Sequence, residues 1–515
     1  MPTKSSCQQL LVIALDAAEP TLIEKWIQDE TLPNLKRLQG RGVYTRLASS
    51  AKWLAGAPWP TFYTGTSPEK HGLYHWQQWR PDKMKVQIVR SNWLSVDPFW
   101  RCLDRKVIAL DIPMTYRPRP FNGIEISGWA THDHLDSPAS YPKQLMERIV
   151  KQYGPSPIST EVYRRQSFQS LMTLGHELVD SVEKVTELAR VFLAKEPWDL
   201  FMVAYGATHR GGHKLWDETG LSGQADLDHG SQLREKLKAV YMACDRAVGQ
   251  LVAAVSEEAN ILIFSLHGMG ANTSRTDIMN DMIKGIMGKP SDLSPMIKKT
   301  DALQRLRERV PLAFRSKVKD SLPQNWQNWL TRFWVMRRID WPSIPVVVPD
   351  ADLQGYLRIN LKGREKRGCV PPGKSFDKLC NYLEKSIQTF VDEDSGRPLA
   401  DVVVSSKKHF GEGARHHLLP DLIVCWRDTP AANHRHIVSS RFGPIDWPTP
   451  GRNPSGRSGN HRGEGFLIAS GPRISHESIP KADILDLAPS ICRLMGRKPI
   501  DGMTGRVLNF LKTEP

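Results

Sequence analysis

The sequence has no CxxC pair. Its seven cysteines (Cys7, Cys102, Cys244, Cys369, Cys380, Cys425 and Cys492) are odd in number and far apart. That speaks against a disulfide framework or a cysteine-zinc site and fits a reducing compartment. No apolar run reaches the roughly 18 residues that a bilayer-spanning helix needs. The first apolar run, LLVIAL (10–15), is too short for a signal segment and stops at Asp16, so it reads as a buried strand. The expected location is cytoplasmic. No internal repeat, long low-complexity tract or recognised nucleic-acid-binding motif is present.

Of the 515 residues, 40% are hydrophobic and 24% charged, an ordinary balance for a globular protein with a large core. At about 150 residues per domain, the length allows two to four domains or one large α/β unit. The formal charge of +15 favours anionic partners: phosphorylated metabolites, nucleic acid or an anionic membrane surface.

Six short apolar runs read as buried parallel strands: 10–15, 106–110, 199–205, 260–266, 421–426 and 465–470. Helical patterns lie between them, among them 21–39 and 231–255. Alternating strands and helices predict an α/β fold, with a mostly parallel central sheet covered by helices on both faces. The expected division is a core in two parts, 1–284 and 343–515, with a helical insertion at 285–342. That insertion carries twelve Lys and Arg residues and Trp326, Trp329, Trp334 and Trp341. It reads as a lid, as an amphipathic helix for an anionic membrane, or as a stacking surface for single-stranded nucleic acid. The Gly/Pro-rich stretch 445–463 reads as a loop.

In a parallel sheet, ligands bind beyond the carboxyl ends of the strands. Asp16 follows the first run; it is either a turn residue or a carboxylate offered to a metal. After the run 199–205 come His209 and His213, which on a helix share a face at i and i+4 and can reach one ion, although Gly211 and Gly212 weaken the helix. His267 follows the run 260–266, and His461 precedes 465–470 in a glycine-rich loop. Each alone is an ordinary structural residue. Together, four histidines and one aspartate at strand termini form a donor set suited to zinc or a similar divalent ion.

The stretches LVIALDAAEP (11–20), WPTFYTGTSPEKHGLYHW (59–76), YLRINLKGRE (356–365), LPDLIVCW (419–426), GNHRGEGFLIASGP (459–472) and ADILDLAPSICRLMG (482–496) resemble, in this order, the alkaline phosphatase superfamily. The closest branch is the type I phosphodiesterase/nucleotide pyrophosphatase family. The resemblance implies a phosphoester hydrolase with two divalent ions that clamp phosphoryl oxygens and activate a Thr or Ser nucleophile. Carried over by position, Asp16 matches a ligand on the first strand, His213 and His461 the two histidines of one ion, and His267 the histidine of the other.

Three positions depart from the pattern. His209 stands for an Asp, Leu266 stands for an Asp, and Ala55 stands at the nucleophile. One ion, most readily zinc with manganese or another divalent metal as substitutes, is therefore expected at His209, His213 and His461. Thr61 lies six residues beyond Ala55, roughly 9 Å along a helix, too far to replace it; Thr64 and Thr66 meet the same objection. The chemistry then falls to water, with Asp16 as its general base and His267 as a second catalytic group. The alternatives are a different reaction on the same scaffold, and loss of catalysis that leaves a binding protein. Arg210, Lys214, Asn272 and Arg462 are candidates for holding a phosphorylated or sulfated small-molecule substrate. Arg358 and Arg364, within the RINLKGRE stretch, are either family-marking structural residues or substrate ligands.

Overall fold

The computed structural model describes residues 9–510 apart from 91–92, 95, 116–117, 132–136, 223–227, 289–342, 350, 352, 446–452, 478 and 480–481. The basic tryptophan-containing part of the expected insertion therefore lies outside the described residues. The preceding helix, Met279–Met287, crosses the expected boundary at 284 and packs Met282, Ile283 and Ile286 against Leu357, Leu383 and Val424.

Eleven strands organise the site, in chain order β1 (Leu10–Leu15), β2 (Gly42–Ala48), β3 (Val107–Leu110), β4 (Gly123–Ser127), β5 (Ala139–Tyr141), β6 (Leu200–Tyr205), β7 (Asn260–Ser265), β8 (Gly268–Ala271), β9 (Gly459–Arg462), β10 (Glu464–Ser470) and β11 (Ala482–Asp483). Nine of them form the central sheet in the order β11-β2-β10-β7-β1-β6-β3-β4-β5, and β8 pairs with β9 in a ribbon. The sheet is mostly parallel: β7, β1, β6, β3 and β4 all run the same way. Alternate residues of β1 serve two separate cores, as the period-2 geometry of a strand requires. Leu11, Ile13 and Leu15 pack under the long helices Phe168–Lys195 and His229–Ala253. Leu10, Val12 and Ala14 face the helices Pro58–Thr64 and Leu487–Leu494 on the other side.

Three sequence expectations need correction. The pattern 21–39 is two helices, Pro20–Gln28 and Pro33–Gly40, because Pro33 cannot continue a helix but can start one. The runs at 421–426 and 465–470 are strands but not parallel ones. Leu422–Trp426 lies antiparallel to its neighbours in a separate four-stranded sheet, and β10 is antiparallel to both β2 and β7. Apolar runs report burial on both faces, which any covered strand has, and say nothing of direction. Within 445–463, residues 459–462 form β9, because their backbone pairs with β8.

Candidate metal centre

Four neighbouring strands, β10-β7-β1-β6, bring the expected residues to one rim. Asp16 follows β1, the helix Ala207–Lys214 follows β6, His267 follows β7, and antiparallel β10 starts at that same rim just after His461 on β9. His461 lies opposite Met269 in the ribbon, which fixes it beside His267.

The helix Ala207–Lys214 forms despite its two glycines, and the glycines explain its position. A Cβ at Gly211 would stand 3.0 Å from Leu237, and one at Gly212 would stand 2.6 Å from Met269. Glycine at these two positions lets the helix lie against both neighbours without displacing their side chains. His209 and His213 then share its inner face, with their Nε2 atoms 3.0 Å apart. The Nε2 of His461 is also 3.0 Å from that of His209. Donor atoms of His209, His267 and His461 all lie within 4.8 Å of one another.

The outward nitrogens fix the proton positions. His213 Nδ1 lies 2.9 Å from the Gly459 carbonyl, which can only accept, so Nδ1 carries the hydrogen. His209 Nδ1 lies 2.7 Å from Asp16 Oδ2 and donates to it. Burial alone pushes the Asp16 carboxyl up. The His209 charge and hydrogen bond, helped by His267 and the Trp59 N–H, outweigh burial and hold Asp16 below the usual carboxylate range. The Nε2 atoms of His209 and His213 thus face each other at 3.0 Å, where a shared proton or a cation can lie between them. Nitrogens bound tetrahedrally to zinc at about 2.0–2.1 Å stand roughly 3.3 Å apart. Metal-bound histidines also typically donate their second N–H to a carboxylate or a carbonyl, as His209 and His213 do here. The donor set fits a divalent ion.

Asp16 itself sits behind His209. Its Oδ1 accepts from Trp59 Nε1 at 2.9 Å, its Oδ2 from His209, and its backbone carbonyl from Thr208 Oγ1 at 2.6 Å. Ala17, next in the chain, is held at φ 57°, a left-handed conformation that costs a β-carbon residue about 1–2 kcal/mol. Trp59, Thr208 and the Gly459 carbonyl were not legible as site residues. Trp59 lay in a quoted stretch but nothing marked its N–H as a partner of Asp16, and a backbone carbonyl leaves no signature.

The other candidates are placed as follows. Arg210 bonds to the Ser159 carbonyl and lies 3.6 Å from Glu161, which also grips Arg457 at 2.9 and 3.0 Å. Lys214 donates to the carbonyls of Val162 and Gly456 at 2.8 and 3.3 Å. Burial pulls its ammonium down to about 8, against the pull of Glu161. Both cations thus tie the segment 159–162 to the histidine helix. Asn272 bridges the Arg457 carbonyl and the Ser274 N–H. Arg462 reaches the Ala271 carbonyl and Asp428. Leu266 is buried in the apolar core beside Trp59 and Phe62. Ala55 lies in the turn before the helix Pro58–Thr64, with its N–H on the Tyr356 hydroxyl at 3.3 Å.

Thr61 is engaged elsewhere: its hydroxyl lies 3.1 Å from His71 Nε2. His71 Nδ1 accepts from the Leu73 N–H, so the neutral ring donates from Nε2 to Thr61 and has no place for a second proton. Burial pulls this imidazole down to about 3. A depressed histidine adds stability above its unfolded value near 6.5 that is lost as pH falls toward the folded value. At pH 5 the expected loss from this ring is about 2 kcal/mol. His71→Gln, which cannot titrate, should lower the slope of stability against pH between 7 and 5, measured by denaturant melts. An unchanged slope would show that His71 titrates normally in the fold.

The arrangement is that of an α/β protein with a histidine centre at the carboxyl edge of its sheet, where such proteins keep their ligands. Residues 10–424 match the type I phosphodiesterase / nucleotide pyrophosphatase family, and the chain belongs to that family of phosphoester hydrolases. Solved structures similar to it include human ectonucleotide pyrophosphatase / phosphodiesterase 5, at 14% identity over 98% of this chain and 100% of that one, TM-score 0.49. Phosphonoacetate hydrolase from Sinorhizobium meliloti 1021, in complex with phosphonoformate, matches at 13% identity over 95% of each chain, TM-score 0.48. An inactive variant of murine ectonucleotide pyrophosphatase / phosphodiesterase 5, in complex with AMP, matches at 15% identity over 96% of each chain, TM-score 0.44. No curated protein matches the sequence.

Proposed function

We propose that the protein is a metal-dependent hydrolase of anionic phosphoesters that works with a single divalent cation and without a covalent nucleophile. The observation that carries this reading is the gathering of His209, His213 and His461, in which the Nε2 atoms of His213 and His461 each lie 3.0 Å from that of His209 and the second nitrogens of His209 and His213 are turned to Asp16 and Gly459. A divalent ion held by these three residues supplies Lewis-acid polarisation of a phosphoryl oxygen. The family and the charge of +15 support a phosphorylated small-molecule substrate.

Ala55 has no hydroxyl and Thr61 is bonded to His71, so the attacking oxygen is that of water. A new P–O bond forms, the ester P–O bond breaks, one water proton goes to a base and the leaving alkoxide takes up a proton. With both its oxygens occupied, Asp16 orients His209. In this reading the proton goes to His267, whose ring centroid lies 4.4 Å from that of His461.

The test is hydrolysis of bis-p-nitrophenyl phosphate by the zinc- or manganese-loaded protein. Turnover should stop on chelation, show no burst, and invert a chiral phosphorothioate diester. A burst or retention of configuration would establish a covalent nucleophile. Tight metal binding without turnover of any phosphoester would make the protein a binding protein, a reading that Ala55 favours.

A further inference from the structure

We propose that Trp59 is a positioning residue of the metal centre. Its indole N–H anchors the Asp16 carboxylate, and Asp16 in turn holds His209 toward the ion. The inference rests on the single-ion reading above and deepens it.

The geometry is a buried chain of two hydrogen bonds. Trp59 Nε1 donates to Asp16 Oδ1 at 2.9 Å, and His209 Nδ1 donates to Asp16 Oδ2 at 2.7 Å. All three residues are buried, so neither bond competes with bulk water. The indole donor fills one of the two lone-pair positions of Oδ1 and holds the carboxylate plane in place. The surroundings agree: the Trp59 ring packs edge-on to Phe62 at 5.9 Å and near Phe264 at 6.4 Å, and Leu266 joins the same apolar cluster. The indole thus reaches Asp16 from an apolar cluster that also holds Leu266, and Ala55 adds no oxygen. The three departures and the tryptophan describe one change, in which hydrogen bonds take over the carboxylate. Asp16 then fixes the ring plane and tautomer of His209, leaving its Nε2 toward His213 and His461.

The test compares zinc binding by the wild type, Trp59→Phe, Asp16→Asn and the double variant, using elemental analysis and competition with a chromophoric chelator. Phe keeps an aromatic ring in the cluster and removes only the donor. The expected results are one zinc per wild-type chain, an affinity about 10- to 100-fold weaker in Trp59→Phe, and a double variant no weaker than Asp16→Asn alone. The cobalt(II) visible spectrum should shift in Trp59→Phe, while the melting temperature measured in chelator changes little; a merely structural role would move the second and not the first. Wild-type affinity in Trp59→Phe, or two ions per wild-type chain with one lost in Asp16→Asn, would overturn the inference. A wild type that binds no zinc would instead overturn the single-ion reading beneath it.

Discussion

His213→Ala is expected to yield a protein that no longer retains a divalent cation through gel filtration, with phosphodiesterase activity reduced to background. His213 is fully buried, its Nδ1–H is fixed on the Gly459 carbonyl, and its Nε2 faces that of His209 at 3.0 Å. Replacement removes one of the two nitrogens that lie 3.0 Å from His209 Nε2 and leaves the proposed metal site one ligand short. Partners one step removed from a metal already cost 10- to 100-fold in affinity, so a direct ligand should cost more than about 100-fold. Alanine also strips the Gly459 carbonyl of its donor and opens a cavity in the helix 207–214. His461→Ala, at the less buried end of the cluster, therefore serves as the companion variant. Wild-type melting temperature should rise with added zinc, because a ligand that binds only the folded state stabilises it. In both variants that rise should vanish at the same concentrations. Near-stoichiometric metal in either variant would place the ion elsewhere.

Much of this centre was legible because chemistry and topology coincide. Asp16, His209, His213, His267 and His461 each stand at the end of an apolar run, and a parallel sheet brings the ends of such runs to one edge. The i, i+4 spacing of His209 and His213 needed only that the helix form. Propensity, which Gly211 and Gly212 lower, argues against it, and the room that these glycines leave for Leu237 and Met269 is a tertiary feature. The illegible features depend on contacts between distant segments. Nothing in 421–426 or 465–470 states which neighbour each strand meets, so their antiparallel direction was hidden. Asp16 read as a ligand or a base because a sequence shows a carboxylate but not that Trp59 and His209 already occupy it. Arg210 and Lys214 read as substrate contacts because adjacency to histidines is visible, whereas the carbonyls of Ser159, Val162 and Gly456 that receive them are not.

The charges of the stretch RINLKGRE lie in a brace, and breaking that brace should cost about 3–5 kcal/mol. Arg358 and Glu365 are both about 1% exposed and meet at 2.8 Å. Glu365 also accepts from Trp79 Nε1 at 2.8 Å and Arg364 at 3.0 Å, while Arg364 grips Asp421 with two bonds of 2.7 Å. Arg358 continues to the carbonyls of His417 and Leu419, and the Arg415 N–H just before them reaches the Glu69 carbonyl in the helix that ends at His71. From the same strand Tyr356 receives the Ala55 N–H, and neighbouring Gln354 donates to the Ala51 and Lys52 carbonyls. The second sheet thus holds the turn that carries Ala55 from behind. Glu365→Ala leaves the Arg358 guanidinium buried without its carboxylate, the costly way to break such a pair. Glu365→Gln keeps the volume and one acceptor oxygen, so it should lose less. Denaturant melts of the two variants should follow that order, and metal binding at the histidines should survive in whatever fraction remains folded. A loss under about 1 kcal/mol in Glu365→Ala would mean that water reaches Arg358 and that the brace carries no such weight.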